Sequence, residues 1–599
     1  MRPFSSSYPE HSPKDVAVTI PFTADALTKA TYDYIIVGGG TAGCCLAARL
    51  SEDPSVSVLL IERGGAVDTW TSKVPLLSAN PNNGSRLFIE WPSKPMKHVD
   101  DRTVGIARGE GLGGTSRVNA MLYTRGAPSE YNNWQAMGHP NWCYDDLCPY
   151  FIKSERTLSQ PRSRFRGHTG PWENQTFTDL SFPFLNYFRP AAERLGIPSI
   201  PDLNSPTAPA VACGTLDVAI DHKVYRASTF HAFLPHSVAS ARSRNLKICT
   251  RALATRLEII RNSSAGMRAE GLYFEDYRGN AASANTYYVQ ARREVIVCCG
   301  ALASPQLLML SGLGPRAHLQ EHGIALVRDM PGVGSNLKDH FDLPITFEAP
   351  LEDTIHLLLE KPWRGIVELL KYVVNGRGLL STPFVQMAIF LRTPLLNDRM
   401  EVVTTDTKDL DPTLPENIPD IEIKPIALNA YNNTQKIGVV TLLTCLVTPK
   451  SLGSVRLASH NPRDHPIVDL DFLNDPRDYV PLRKGVKLSM RLGQEIGVQG
   501  YPLKPLGVPA SQEDHDVDHF IRTGARTCYH YASTCRMGPE TEDKLPGVGD
   551  DELRVHGIQN LRVCDASVFP EIIAAHTMAP VVAVAEKCAD LIKQAYGKD

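Results

Sequence analysis

The sequence predicts a mixed fold: an α/β domain wound around a parallel sheet, and a second domain of antiparallel sheet covered by helices. Three observations carry this. A strand, a glycine loop, a helix and a second strand follow one another from Tyr32 to Gly65. A further strand–turn–helix reads from "EVIVCCGALASPQLLMLSG", Glu294 to Gly312. The stretch from Phe341 to Thr527 has no such loop and mixes helical spacing with strand-like runs.

The bulk properties agree. A chain of 599 residues buries a large core and divides into more than one domain. With 43% hydrophobic and 21% charged residues it has the composition of a folded, loop-rich enzyme rather than a disordered chain. Net charge is −3, and no basic run suggests a nucleic-acid or membrane surface. No run of 18 apolar residues occurs, so no membrane span is expected. The first 30 residues lack a signal-peptide core, which points to the cytoplasm. Sequons start at Asn83, Asn174, Asn262 and Asn432, a number that chance supplies in a long chain. The adjacent pairs Cys44–Cys45 and Cys298–Cys299 lie in apolar stretches and read as buried thiols before disulfides. No close CxxC pair is present, and no metal is expected.

Taken in order, "YIIV" (Tyr34–Val37) is a buried strand, and Gly38, Gly40 and Gly43 give GxGxxG. Gly38 allows a tight turn, Gly40 lets the backbone approach a pyrophosphate, and Gly43 lets the helix pack close to the strand. The helix start, with Thr41 and Ala42, offers unpaired N–H groups to phosphate. "SVSVLLIE" is the next strand, and Glu62, 19 residues past Gly43, can accept from ribose hydroxyls and repel a 2′-phosphate. Arg63 follows it. The unit alone does not decide between NAD and FAD. In "GLGGTS", Gly114 belongs to a loop that can lie flat on a cofactor, and Thr115 and Ser116 can donate to phosphate. After the strand of Glu294–Val297, Ser304 reads as a helix N-cap, Pro305 as a first-turn residue and Gly312 as the stop.

These stretches stand in one order: the GxGxxG unit, "RGEGLGGTSRVNAMLYTRG" (Arg108–Gly126), "GALASPQLLMLSGLGP" (Gly300–Pro315), "PGVGSNLKDH" (Pro331–His340), "CYHYASTCRMG" (Cys528–Gly538), "VCDASVFP" (Val563–Pro570) and "AAHTMAP" (Ala574–Pro580). In this the chain resembles the glucose–methanol–choline oxidoreductase family, whose members hold FAD, from about Tyr32 to Ile592. The resemblance implies a Rossmann-like FAD-binding domain over residues 31–340 after an extension at 1–30. It implies a substrate-binding domain at 341–527 and a return to the FAD domain at 528–599. It puts Asn119 close to the cofactor, the backbone at Ala254 against adenine, and Asp565 near the ribityl and pyrophosphate. Two positions depart from the pattern. Glu110 stands where a basic residue is usual, with Arg108 close enough to substitute. Val118 stands where some relatives attach FAD through a histidine, so non-covalent FAD is expected.

Flavin-dependent oxidation of an alcohol moves a hydride from carbon and needs a base for the hydroxyl proton. Histidine suits that task, its ordinary pKa lying near 6.5. His530 matches the family's catalytic histidine and His576 its partner, so the resemblance implies His530 as general base and His576 as the residue that orients the alcohol and borders the flavin. His340 reads as structural. In the middle of the chain, the Leu- and Val-rich run His356–Leu380 reads as helical and mainly core, and Lys436–Val447 as a strand. The expected function is FAD-dependent oxidation of a small alcohol to a carbonyl, with oxygen or a quinone as acceptor, by a monomer or homodimer without nucleic-acid or membrane partners. Alternatives are a non-redox flavin-containing lyase or cyclase, a protein that holds FAD only structurally, and, from the loop alone, a NAD-dependent dehydrogenase.

Overall fold

The structure, a computed structural model, describes residues 8–79, 87–262, 266–278, 285–429, 436–541 and 545–597. The expected nucleotide unit is present as β1 (Thr31–Val37), α1 (Thr41–Leu50) and β2 (Val58–Ile61). Every residue of β2 is buried, and all of β1 after Thr31, as a parallel sheet covered on both faces requires. β3 (Leu246–Cys249), β4 (Ala252–Asn262), β5 (Gly266–Asp276) and β6 (Thr286–Val297) extend the sheet in the order β3-β2-β1-β6-β5-β4. β1, β2, β3 and β6 run parallel, and β4 and β5 continue as an antiparallel ribbon. The extension before β1 is tied down where Val18–Thr19 pairs with Tyr287–Tyr288.

β6 leads into α2 (Gly300–Leu310), which starts four residues before the expected cap at Ser304. Ser304 and Pro305 lie inside this helix. Proline at 305 cannot bond the carbonyl of Ala301, a loss that ordinarily breaks a helix. Thr534 Oγ1 donates to that carbonyl instead, at 2.6 Å. Ser304 Oγ accepts from Cys299 N at 3.1 Å, so it does bind the helix start, but from within. Gly312, with φ +82°, follows the helix end as expected.

The second sheet is β7 (Phe341–Ala349), then, beyond α3 (Pro362–Asn375), β8 (Met387–Leu391), β9 (Ile421–Ile426) and β10 (Gly438–Leu446). These four stand in the order β7-β10-β9-β8, each antiparallel to its neighbour. The sheet is not confined to 341–527: Ala212–Thr215 adds to the β8 edge, and Ser199–Ile200 adds to Ala212–Thr215. α4 (Tyr479–Val498) lays Leu482, Val486, Leu488, Leu492 and Ile496 on one face of it. α3 departs from the expectation that its apolar residues are core. Glu368 and Tyr372 face inward, while Trp363, Ile366, Leu370, Val373 and Val374 are each more than half exposed.

The tail returns to the first sheet. β11 (Leu561–Val563) runs parallel to the end of β6, from Val295↔Leu561 to Val297↔Val563. α5 (Met578–Tyr596) then packs on α1, with Pro580 in its first turn. Glu586, fully buried on α5, accepts from Arg49 of α1 at 2.7 Å and pairs with Lys153 at 3.3 Å. All thirteen cysteines are free. Asn174 is fully buried and donates to Glu155 at 3.0 Å, which leaves no room for a glycan. The sequons at Asn83 and Asn432 lie outside the described residues.

Removing one partner of a buried ion pair leaves the other charge uncompensated, at a cost of about 3 kcal/mol or more. Glu586→Ala is therefore expected to destabilise the protein by about that amount, read as a lower urea midpoint at unchanged m-value.

Candidate active site

Among the residues expected to act, Gly38, Gly40, Thr41, Ala42, Glu62, Arg63, Gly114, Thr115, Asn119, Ala254, Asp565, His530 and His576 line one cavity of about 610 Å³. Gly43 does not line it. It faces β1, and a Cβ there would come within 1.9 Å of the Gly38 carbonyl, so its role is the close approach of α1 to the strand. Gly38, at φ +102°, makes a turn that an L side chain would strain.

The walls are built by carboxylates that gather backbone N–H groups. Glu62 Oε2 accepts from Gly39 N at 2.8 Å, and Oε1 accepts from Gly64 N at 2.7 Å and Gly111 N at 3.1 Å. It therefore joins the two glycine loops, and Oε2 keeps a lone pair for a further donor. Asp565 Oδ2 accepts from Gly300 N at 2.9 Å and Ser304 Oγ at 2.6 Å, and Oδ1 accepts from Ser567 N at 2.8 Å. Glu110 is paired with Arg63 at 3.0 Å. Arg108 lies on the cavity wall with its buried Nε unpartnered among the described residues. Burial, with Arg63 nearby, brings its guanidinium down to about 10, against the pull of Glu110 and Glu62, so it is still a cation at neutral pH. A Cβ on Gly40 would find no protein atom nearer than 3.9 Å and would stand in the cavity. Near Ala254 the β4–β5 register shifts, which turns backbone toward the same space. A half-buried cation with a free Nε–H, a helix N-terminus and a bare glycine cradle together fit a dinucleotide.

At the other end of the cavity the imidazoles meet. His530 Nε2 is 3.2 Å from His576 Nδ1, and the rings are nearly perpendicular with centroids 4.8 Å apart. His576 Nε2 is 3.0 Å from Glu422 Oε1, and Lys424 Nζ donates to Glu422 Oε2 at 2.7 Å. His530 Nδ1 is 2.9 Å from His340 Nδ1. The segment before His530 is pinned by Asp339, whose Oδ1 accepts from His530 N at 2.8 Å and whose Oδ2 lies 2.5 Å from Thr527 Oγ1. Tyr529 and Ser533 on either side have φ of +61° and +70°, a strained conformation that this bracing holds.

Electrostatics separate the groups. Burial, then the neighbouring His576 and His340, hold His530 well below the ordinary imidazole value. Burial and His576 bring His340 to about 3. Burial alone would raise Glu422, but His576 and Lys424 keep it ionised, well below the usual carboxylate range. Glu422 can thus only accept, which makes His576 Nε2 a donor and leaves His576 Nδ1 to share a proton with His530 Nε2.

Known proteins match this chain over most of its length. Residues 32–342 and 449–585 match the two family models of the GMC oxidoreductases. The chain belongs to the GMC (glucose–methanol–choline) oxidoreductases. The oxygen-dependent choline dehydrogenase of Burkholderia vietnamiensis is 35% identical to this GMC oxidoreductase, over 95% of this chain and 94% of that one. Formate oxidase of Aspergillus oryzae superposes with a TM-score of 0.82 at 26% identity, covering 94% and 98% of the two chains. Pyridoxine 4-oxidase from Mesorbium loti superposes with a TM-score of 0.76 at 28% identity, covering 93% and 98%. Among the described residues of this GMC oxidoreductase, no helix is long and apolar enough to cross a membrane.

Sequence reasoning missed four participants. Glu422 and Lys424 alternate along β9 and so share a face, a period-2 signal readable in "IEIK". His340, which reads as structural in the sequence, lies against His530 with their Nδ1 atoms 2.9 Å apart. Arg226, fully buried, donates to Asn119 Oδ1 at 2.8 Å and to the Asn119 carbonyl at 2.7 Å, and no local pattern marks it.

Burial raises Asp339 to about 8, against its bonds to Thr527 and His530 N. The folded protein holds this proton more tightly than the unfolded chain, so stability falls as pH rises from the ordinary aspartate range toward 8. Asp339→Asn keeps both contacts and is expected to flatten that fall, read as melting temperature against pH.

Proposed function

We propose that this chain is a flavoenzyme with non-covalently held FAD that oxidises a neutral alcohol to a carbonyl. The observation that carries the reading is the single cavity on which the nucleotide loops of the head and the imidazoles of the tail both open. Bound FAD supplies the hydride acceptor. Glu62, Arg108, the N-terminus of α1 and the loop at Gly114 would hold it, with Asp565 beside its linker. Val118 lines the cavity and offers no nucleophile for a covalent link.

His530 takes the hydroxyl proton. Its depressed basicity keeps it neutral at physiological pH, and a base must be neutral to accept. His576 holds the alcohol oxygen and fixes the direction in which the carbon faces. His576 Nδ1, 3.2 Å from His530 Nε2, lies within hydrogen-bond reach of the base, and Glu422 at 3.0 Å fixes the orientation of its ring.

The wall near the histidines favours a neutral alcohol over a cationic one. Leu122, Val385, Leu443 and Met578 line it. The nearby carboxylates are engaged, Glu422 by His576 and Lys424, and Asp342 by the thiol of Cys528 at 3.2 Å. Oxygen or a quinone would reoxidise the enzyme, and an alcohol panel assayed for peroxide and then with a quinone separates the two.

His530→Ala is expected to slow anaerobic flavin reduction by about 10²–10⁴-fold with flavin still bound. A variant that reduces at the parent rate overturns the assignment. Glu422→Gln is expected to slow the same step about ten-fold or more, the loss of one charge-assisted hydrogen bond worth roughly 1.5 kcal/mol, as read by stopped flow.

A further inference from the structure

α3 is amphipathic the wrong way round for a helix of a water-facing surface. Its charged Glu368 is buried, where Oε2 accepts from Leu379 N at 2.7 Å and Oε1 from Lys371 Nζ at 2.6 Å. Its apolar residues point outward: Trp363, Ile366, Leu369, Leu370, Val373 and Val374 are between 38% and 74% exposed. At 100° per residue these six fall on one continuous arc, and exposed Leu359 stands just before the helix. Scattered surface hydrophobes need no explanation, but a contiguous patch on one helix marks a contact.

Two observations decide what the contact is with. The first is charge. Lys361, Arg364, Lys371 and Arg377 are all exposed along the segment, and Glu360 is the one exposed acid among residues 359–377. Arg364 and Lys371 lie along one border of the apolar arc, with the Arg364 guanidinium 4.4 Å from the centre of the Trp363 ring. A basic fringe beside Trp, Leu, Ile and Val is the composition of a helix that lies flat in a lipid headgroup layer. The second is area. Fourteen residues make a helix about 21 Å long and about 10 Å wide, a footprint of about 200 Å². That is well short of the about 800 Å² per partner that a stable protein interface buries.

We infer that α3 docks this protein on a membrane surface that carries anionic lipid, with the apolar arc in the acyl boundary and the basic fringe on the headgroups. This departs from the expectation of no membrane partner, which rested on the absence of a spanning segment and of a basic run. A helix that lies on a bilayer needs neither. The position suits an apolar substrate: Tyr372 on the underside shares a small apolar cluster with Leu380 and Phe384, and the adjacent Val385 lines the active-site cavity.

The test is co-sedimentation of the flavin-loaded protein with vesicles of phosphatidylcholine, alone or mixed with phosphatidylserine. The parent is expected to bind the mixed vesicles about ten-fold better and to be released by salt. Ile366→Glu, Leu370→Glu and Val373→Glu together should abolish binding while flavin content and turnover of a soluble alcohol stay at the parent level. Arg364→Glu with Arg377→Glu, which leaves the apolar arc intact, should remove the preference for phosphatidylserine. No sedimentation of the parent with mixed vesicles, or equal sedimentation with both kinds, overturns the inference. So does light scattering that shows a parent dimer which the triple variant breaks, since a second copy would then cover the arc.

Discussion

One carboxylate ties the returning tail of this chain to the helix that follows the central strand of its first sheet. Asp565 follows β11 and gathers Gly300, Ser304 and Ser567, so the start of α2 and the returning tail are fixed against each other. The parallel pairing of β11 with β6 sets the height at which the tail arrives, and a slip of one residue would turn every side chain over. The segment that carries His576 hangs from this join. Catalysis of the kind proposed depends on reacting groups held to within about an ångström, and the bracket supplies that constraint from the sheet rather than from a loop.

The second sheet contributes charge rather than position. Asp342, Cys445 and Glu422 are paired across β7, β10 and β9, so they form one row. All three members of that row reach the tail: Asp342 accepts from the Cys528 thiol, Cys445 Sγ lies 3.2 Å from Cys528 Sγ, and Glu422 reaches His576. A buried carboxylate alone would take up a proton. His576, and Lys424 on the same strand, prevent this, and the ionised carboxylate then dictates which nitrogen of His576 bears hydrogen. The electrostatic state of the site is thus set from a strand over 150 residues from the imidazole it controls.

What could be read in the sequence follows from how local each constraint is. The β1–α1–β2 unit was legible because Gly43 answers to the Gly38 carbonyl five residues away, and Gly38 to its own positive φ. Ser304 and Pro305 misled because the rule for proline in helices assumes no outside donor, and Thr534 is one. Glu422 was not found because its partner is distant, although its alternation with Lys424 showed that something charged faced inward. The strand Ala212–Thr215 was lost for the same reason: nothing within it names β8. α3 shows a further limit. Periodicity reports that a helix has an apolar face but not which way that face is turned.

The bond from Thr534 to the Ala301 carbonyl bears on how this sequence can drift. Thr534 stands four residues after His530, and Pro305 lies on the far side of the cofactor wall, yet the first makes the second tolerable. A proline at 305 without a hydroxyl at 534 leaves a buried carbonyl unsatisfied. A hydroxyl at 534 beside an ordinary residue at 305 shares that oxygen with a helix bond, since a carbonyl has two lone pairs. The dependence therefore runs one way: among descendants of this chain, proline at 305 should persist only where a donor stands at 534.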